Sequence, residues 1–323
     1  MLVSWLPIHH DLGLVRFLFM PVWFGQHVHL LPPAIASLGL WLRTITAVRG
    51  TVTSAPDFAF RLAARAVPPD GIDLTSLRFA TNGGEPVRAS SIAAFELRFA
   101  CPGVVRSGYG LAEATLGVAA MMPGEVLRVD ARGHVGCGKV VPALRLRVMC
   151  DDIEQVVGEV GELEISGSHL FEGYYDPTLP GGFDRSAFTG DGWLRTGDTG
   201  YVDADGVVFA LGRTRAMVKQ AGALIAPREV EEVVDRIIGV RLSAAVGLPN
   251  ENTQAEELVV VVETRVEPPP EGLAAAVQAA VRAEVGVVPG RVLLVPARTI
   301  PLTANGKLRH AVLREQLLAS AST

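Results

Sequence analysis

Residues 77–84 read Leu77-Arg-Phe-Ala-Thr-Asn-Gly-Gly84, a short apolar segment that ends in two glycines. This pattern predicts a buried strand and a tight turn, and the amphipathic residues 86–99 predict the helix that follows. Upstream, Gly50-Thr-Val-Thr-Ser-Ala-Pro56 predicts another strand leading into a helix that starts near Pro56. Residues 104–109 predict a third strand. Such strand–glycine–helix units predict a parallel α/β sheet whose ligands lie at the carboxyl ends of its strands.

The sequence pattern changes twice after this region. Short β-rich segments at 144–149, 161–166 and 206–211 predict a small β-subdomain. Further on, predicted helices at 227–238, 273–285 and 309–318 alternate with predicted strands at 244–248, 258–263 and 291–295. We therefore expect a partial α/β core over residues 1–132, a β-rich subdomain over 133–212 and a small α+β domain over 213–323.

Bulk composition narrows the classes of function. The chain has 323 residues and 49% hydrophobic content, but its apolar runs break well before the ~18 residues that a membrane span needs. The first residues lack the features of a signal peptide, so we expect a cytoplasmic protein without a membrane span. A net charge of -5 and no basic tract argue against nucleic acid. Three isolated cysteines argue against a zinc site or a disulfide framework, and a small-molecule ligand is favoured.

The basic residues are very unevenly divided between lysine and arginine. Lys139, Lys219 and Lys307 are the only lysines, and the other basic residues are arginines. A lysine retained in such a chain suggests a need for a compact ammonium group that a guanidinium cannot replace.

Several short motifs, in collinear order, carry a resemblance. They are Ser4-Trp-Leu-Pro-Ile-His-His-Asp-Leu-Gly13, Asn82-Gly-Gly-Glu-Pro-Val87, Tyr109-Gly-Leu-Ala-Glu-Ala-Thr115, Gly161-Glu-Leu with Gly173-Tyr174, Trp193-Leu-Arg-Thr-Gly-Asp198, Gly212-Arg-Thr-Arg-Ala-Met-Val-Lys219 with Gly222 and Pro227, and Pro301-Leu-Thr-Ala-Asn-Gly-Lys307. Together they resemble the acyl-adenylate-forming (AMP-dependent) ligases, most closely the fatty acyl-AMP ligase and acyl-CoA synthetase branch. The resemblance covers nearly the whole chain. It implies the large adenylation domain followed by a small, mobile C-terminal domain.

The resemblance implies a site for ATP, AMP or an acyl adenylate, together with Mg²⁺. The residues implied in nucleotide binding are Gly83, Gly84 and Glu85 in the turn near the purine, Tyr109 and Gly110 beside the adenine, Asp198 and Arg213 at the ribose, and Gly222. Glu113 is implied as the Mg²⁺ ligand, and its carboxylate suits a hard cation. Asp198 is expected in a turn after Trp193, and taken alone it would be ordinary turn chemistry.

Three residues are implied in catalysis by the same resemblance. Lys307 would supply positive charge as pyrophosphate departs, although a lone lysine on a glycine-containing loop is usually a solvated charge. His10, with Asp11, matches the family's pair near the acyl pocket. Glu113 would act through its metal ion, whereas without the motif it would read as a helix-start carboxylate.

The acceptor of the acyl group is left open by the sequence. In the family it is a phosphopantetheine thiol, on coenzyme A or on an acyl or peptidyl carrier protein, and Gly222 matches the segment that lines the thiol tunnel. The residues around Lys219 favour the coenzyme A-using or carrier-loading branches. The family's hinge aspartate is replaced by Ala216, which weakens the expectation of a domain swing.

The Ser/Thr/Gly-rich loop that holds the β- and γ-phosphates in the family does not occur in the 323 residues. Its family position precedes Trp5, and its loss should weaken ATP binding more than AMP binding. Three hypotheses therefore remain: an acyl ligase whose phosphate loop is supplied by another chain, by a longer natural product or by substitute groups; an acyltransferase that uses a ready-made acyl adenylate or thioester; and a binding or scaffold module that retains the fold. A second chain or a second copy of this chain is a candidate partner that would cover the missing N-terminal part.

Overall fold

The structure is a computed structural model that describes residues 1–33, 38–220, 223–250, 255–303 and 307–321. The predicted Gly222 contact lies outside these residues. The chain divides into two compact units, Met1–Leu211 and Gly212–Thr323.

The first unit contains a sheet with the strand order β2-β1-β3-β4-β5-β6-β7. Its strands are β1 (Leu2–Ser4), β2 (Val28–Leu30), β3 (Val52–Ala55), β4 (Phe79–Asn82), β5 (Val105–Tyr109), β6 (Ala119–Ala120) and β7 (Lys139–Val140). β1 to β5 pair in parallel, whereas β6 and β7 are antiparallel. The predicted parallel strand–helix units are thereby confirmed.

Helices connect the parallel strands. They are α1 (Asp11–Leu14), a π-helix (Val15–Phe19), α2 (Met20–Phe24), α3 (Leu38–Val48), α4 (Asp57–Ala66) and α5 (Ala89–Arg98). An aromatic cluster packs α3, α4 and α5 together: the ring centroids of Trp41 and Phe60 are 5.7 Å apart, and those of Phe60 and Phe95 are 4.9 Å apart. All three rings are almost fully buried, so they form the centre of the core on this face of the sheet.

A second, five-stranded sheet in the first unit has the order β14-β13-β10-β8-β9. Its strands are β8 (Leu144–Cys150), β9 (Ile153–Glu154), β10 (Gly161–Gly167), β13 (Leu194–Val202) and β14 (Val208–Arg213), and a separate hairpin pairs β11 (Tyr174–Tyr175) with β12 (Phe183–Asp184). The expectation that Asp198 lies in a turn is wrong, because Asp198 lies within β13.

The second unit is built on a three-stranded sheet of β17 (Val240–Asn250), β18 (Ala255–Thr264) and β19 (Arg291–Val295). The hairpin β15 (Val218–Gln220) and β16 (Ala223–Ile225) and the helices α6 (Pro227–Val234), α7 (Leu273–Glu284) and α8 (His310–Ala321) complete the unit. Residues 258–262 of β18 are at most 1% exposed, because α6 and α7 cover one face of the sheet and α8 the other. The helix expected at 227–238 ends earlier, at Val234.

Candidate functional site

The carboxyl ends of β3, β4 and β5 lie side by side in the large sheet. They end at Ala55, Asn82 and Tyr109, and each is followed by a turn or a helix start. In an open parallel sheet, this edge is where ligands bind. The predicted residues Gly83 to Glu85, Gly110 and Glu113 all follow these strand ends in the chain.

The turn after β4 depends on its two glycines. A Cβ atom at Gly83 would lie 2.7 Å from the carbonyl oxygen of Gly108, so a side chain would separate the ends of β4 and β5. Gly84 has φ of 80°, a conformation that favours glycine. The Glu85 carboxylate accepts the Phe58 N–H at 2.7 Å, at the start of α4. This contact gives the Glu85 side chain a role in holding the turn against α4.

A buried carboxylate, Asp57, fixes the same turn and was missed by the sequence analysis. It is 3% exposed and accepts hydrogen bonds from Asn82 Nδ2 at 3.0 Å, the Arg88 N–H at 3.0 Å and Ser91 Oγ at 2.8 Å. Three contacts on one buried carboxylate fix the end of β4 and the start of α5 to α4. The position of Asp57 at the start of a helix was visible in the sequence, but its partners were not.

Tyr109 and Asp198 meet in the structure. The Tyr109 hydroxyl donates to Asp198 Oδ2 at 2.7 Å, which joins the end of β5 to β13. The Tyr109 ring packs against both apolar clusters that surround the five-stranded sheet. Asp198 is 8% exposed. The two residues predicted to contact adenine and ribose therefore lie together at one place.

The backbone around Asp198 forms a β-bulge. Glu162 of β10 pairs with Thr199 of β13, and Glu164 pairs with Arg195. Two steps along β10 therefore correspond to four along β13. Gly197 has φ of 70° in this bulge, and the Asp198 N–H donates to Thr196 Oγ1 at 3.1 Å. Bulges redirect side chains out of the regular alternation of a strand, which explains both the turn-like sequence and the placement of Asp198.

Glu113 lies in a 3-10 helix (Ala112–Ala114) directly after β5. A Cβ atom at the preceding Gly110 would lie 1.7 Å from the Leu116 carbonyl oxygen, so only glycine allows the chain to fold back here. The Tyr174 hydroxyl donates to Glu113 Oε1 at 2.7 Å. The motif that contains Tyr174 predicts no role for it, and the structure shows Tyr174 orienting this carboxylate.

The described residues contain no group of three or more His, Cys, Asp or Glu side chains suited to hold a metal ion. A single oriented carboxylate still suits Mg²⁺, which commonly takes one or two protein carboxylates and fills its other positions with water and substrate phosphates. Glu113 fits that role by its oxygen chemistry.

The remaining predicted residues lie elsewhere. His10 is exposed before α1, with Nδ1 2.5 Å from Asp11 Oδ1, and its role near an acyl pocket stays a prediction. Arg213 ends β14 and is exposed. Lys307 lies in the second unit, where its N–H donates to Thr303 Oγ1 at 3.0 Å.

Arg16 is a second residue that the sequence analysis missed. Its guanidinium lies 5.1 Å from the centroid of the Phe79 ring, and its buried Nε has no hydrogen-bond partner among the described residues. Burial lowers the pKa of Arg16 to about 10. A buried cation without a counterion is destabilising, so this position is a candidate for a stability test.

Comparison with known proteins gives consistent matches. The sequence profile of the family described as AMP-binding enzyme matches residues 1–175. Rv1013 of Mycobacterium tuberculosis, named only as a ligase, is 34% identical over 96% of this chain, which spans 63% of its length. The long-chain-fatty-acid–AMP ligase FadD28 of the same species is 31% identical over 98% of this chain, which spans 62% of its length.

A solved structure from work on fatty acyl-adenylate ligases of E. coli and L. pneumophila superposes with a TM-score of 0.84. It is 27% identical, and the match covers 100% of this chain and 64% of that one. Across the described ranges, no helix is long and apolar enough to cross a membrane.

Proposed function

The chain belongs to the AMP-binding enzyme family, and on that premise we propose that it handles carboxylic acids as acyl adenylates, in the manner of an AMP-forming acyl ligase. The observation that carries the proposal is the joining of Tyr109 to Asp198 at 2.7 Å. An aromatic ring and a carboxylate held together at a strand end supply what an adenosine needs: a flat apolar surface and an acceptor for ribose hydroxyls.

In this proposal, Asp198 accepts hydrogen bonds from the ribose, and the bulge at Gly197 holds its carboxylate in position. Hydrogen bonds to a charged acceptor contribute about 1.5–3 kcal/mol each, so Asp198 is the main polar determinant of nucleotide affinity. Gly83 and Gly84 let the backbone approach the purine, while Glu85 and Asp57 hold that turn in place.

The chemical step forms one bond and breaks another. A carboxylate oxygen of the acid attacks the α-phosphorus of ATP, and the bond to pyrophosphate breaks as the acyl adenylate forms. Negative charge grows on the phosphoryl oxygens, and the Lys307 ammonium compensates it. A bound Mg²⁺ would neutralise phosphate charge, with Glu113, oriented by Tyr174, as its protein ligand.

In the second step a thiol, which we propose is a phosphopantetheine arm on a carrier protein or coenzyme A, attacks the acyl carbon; a thioester forms as the bond to phosphate breaks and AMP leaves. The family's loop for the β- and γ-phosphates is not among the 323 residues. We therefore expect these residues to bind AMP and acyl adenylates more tightly than ATP.

The test is acid-dependent release of pyrophosphate from ATP, measured with a panel of carboxylic acids and with Asp198→Ala as the negative control. Release that requires both the acid and Asp198 supports activation. No release with any acid, together with intact AMP binding, would reject activation and favour transfer from a preformed acyl adenylate. Absence of both pyrophosphate release and AMP binding would reject nucleotide chemistry and favour a scaffold.

A further inference from the structure

Thr303 and Lys307 are joined by two hydrogen bonds, and these two residues are called the lysine loop. The Lys307 N–H donates to Thr303 Oγ1 at 3.0 Å, the Thr303 N–H donates to the Lys307 carbonyl at 2.8 Å, and Leu302 pairs with Leu308 in an isolated β-bridge. These contacts fix the backbone of Lys307 relative to Thr303. Next to it, the Leu308 side chain packs against the apolar cluster on β17 and β18, which attaches this segment to the sheet.

His310, the first residue of α8, adds a polar contact between this segment and α6. Its Nε2 lies 2.6 Å from Glu231 Oε1 on α6. The Glu231 side chain is 4% exposed, and the same oxygen accepts the Ala245 N–H of β17 at 3.1 Å. The carboxylate is thus itself fixed by the sheet, so an ion pair to it anchors the segment that carries Lys307.

Other charged groups on and beside α6 have their own partners. On α6, Arg228 and Glu232 approach each other at 3.8 Å, and Asp235, which follows the helix, accepts from Ser243 Oγ at 2.9 Å. Glu231 is the acid that faces His310. Burial lowers the pKa of His310, but attraction to Glu231 and their hydrogen bond outweigh it, so the pKa is raised above its ordinary 6.5.

We propose that the His310–Glu231 ion pair is a positioning device for Lys307, which holds the lysine loop against α6 and β17 when His310 is protonated. Because the folded pKa of His310 is raised, the anchor is complete below the ordinary histidine pKa and is lost as the pH rises through the raised value. The role given to Lys307 rests on the proposed function, whereas the anchoring of its loop does not.

The test uses the scarcity of lysine in this chain. Limiting acetic anhydride labels Lys139, Lys219 and Lys307 in competition, and peptide mass spectrometry gives the labelling of Lys307 relative to the other two. Lys219, in the same unit, reports general loosening of that unit. Variants are His310→Gln, Glu231→Gln and His310→Arg, with His29→Gln, an exposed histidine of the first unit, as the matched control.

In the wild-type protein, relative labelling of Lys307 should rise with pH as His310 loses its proton. Below the ordinary histidine pKa, where the pair is complete in the wild type, His310→Gln and Glu231→Gln should raise it about threefold, and both should abolish the pH dependence. His310→Arg, which carries a permanent cation, should restore low labelling at every pH. Unchanged labelling of Lys307 in both glutamine variants would overturn the proposal, as would a parallel rise at Lys219.

The enzymatic readout separates this proposal from the proposed function. His310→Gln should lower the kcat of adenylate formation about tenfold with little change in KM for the acid, since a displaced catalytic group affects the reacting state. A labelling change without acid-dependent pyrophosphate release in the wild type would overturn the function and support the anchor. Acid-dependent pyrophosphate release in the wild type, with neither kcat nor labelling changed by His310→Gln, would support the function and overturn the anchor.

Discussion

The Tyr109–Asp198 site and the Lys307 loop are built in opposite ways. In the first, a side-chain hydrogen bond joins two strands that are 89 residues apart in sequence. In the second, two hydrogen bonds join Thr303 and Lys307, which are four residues apart, and the His310–Glu231 pair joins the following helix to α6. The first site is held by a contact between distant parts of the chain, whereas Thr303 and Lys307 are held to each other by local contacts.

This difference suggests a division of tasks between the units. Residues on strands are held accurately and suit binding of a ligand that must be recognised in one pose. A loop with few long-range contacts opens at a lower free energy than the core around it. We therefore expect changes in the first unit to alter nucleotide affinity and changes at the Lys307 loop to alter rate.

The largest expected effect separates rate from binding. Lys307→Ala should lower acid-dependent adenylate formation about 10²–10³-fold, the effect of removing one group that stabilises transition-state charge. AMP affinity should change less than about twofold, because a strand-end site does not need the loop. Pyrophosphate release and AMP titration on the same preparations measure both. Lys219→Ala is the matched control. Equal losses of rate and of AMP affinity in Lys307→Ala would contradict the separation of binding and rate between the two sites.

The next effect belongs to the strand-end site. Asp198→Ala should weaken AMP binding about 10- to 100-fold, since the ribose loses an ionised acceptor. Tyr109→Phe should weaken it by a smaller factor, because the ring remains and only the hydroxyl that orients Asp198 is lost. Calorimetry gives both values. Asp176→Ala, on an exposed loop, serves as the control. If Asp198→Ala leaves AMP affinity unchanged, the nucleotide does not bind at Asp198.

A smaller effect is expected for the residue that orients Glu113. Tyr174→Phe removes a 2.7 Å hydrogen bond worth about 0.5–1.5 kcal/mol. The Mg²⁺ concentration needed for half-maximal adenylate formation should rise about threefold. Tyr175→Phe, at a 77% exposed neighbour, should leave it unchanged. An identical Mg²⁺ requirement in both variants would argue against Glu113 as the metal ligand.

The smallest effect concerns a residue that makes the first unit less stable. Arg16→Met should raise the free energy of unfolding of that unit by about 1 kcal/mol, because the partly buried guanidinium has a buried Nε without a hydrogen-bond partner among the described residues. All four tryptophans, Trp5, Trp23, Trp41 and Trp193, lie in this unit, so tryptophan fluorescence follows its denaturation by urea. Exposed Arg78→Met is the control, and a loss of stability would show that Arg16 has a stabilising role.

The fold was predictable where the sequence pattern is local. The strand at 291–295 was predicted with its observed bounds, and β3, β4 and α5 lie within a few residues of their predicted positions. β13 was missed because Thr196-Gly197 reads as a turn, whereas in the structure the glycine marks a bulge inside a strand. Turn residues identify a local backbone conformation and do not identify its context.

The partners of the site residues were beyond sequence reasoning. Motifs pointed to Tyr109, Glu113 and Asp198 individually, but the contacts that orient them come from distant parts of the chain, such as Tyr174, which lies 61 residues from Glu113. The same holds for Glu231 and His310, which are 79 residues apart. Composition and periodicity carry no information on which side chains pair across such distances.

The most direct test of the central claim is calorimetric titration of the purified 323-residue chain with AMP and, separately, with Mg-ATP. The account predicts saturable AMP binding at one site and weaker binding of ATP, since Tyr109 and Asp198 are in place and the family's phosphate loop is not among these residues. Absence of AMP binding by the folded protein would contradict the assignment of the strand-end site to the nucleotide.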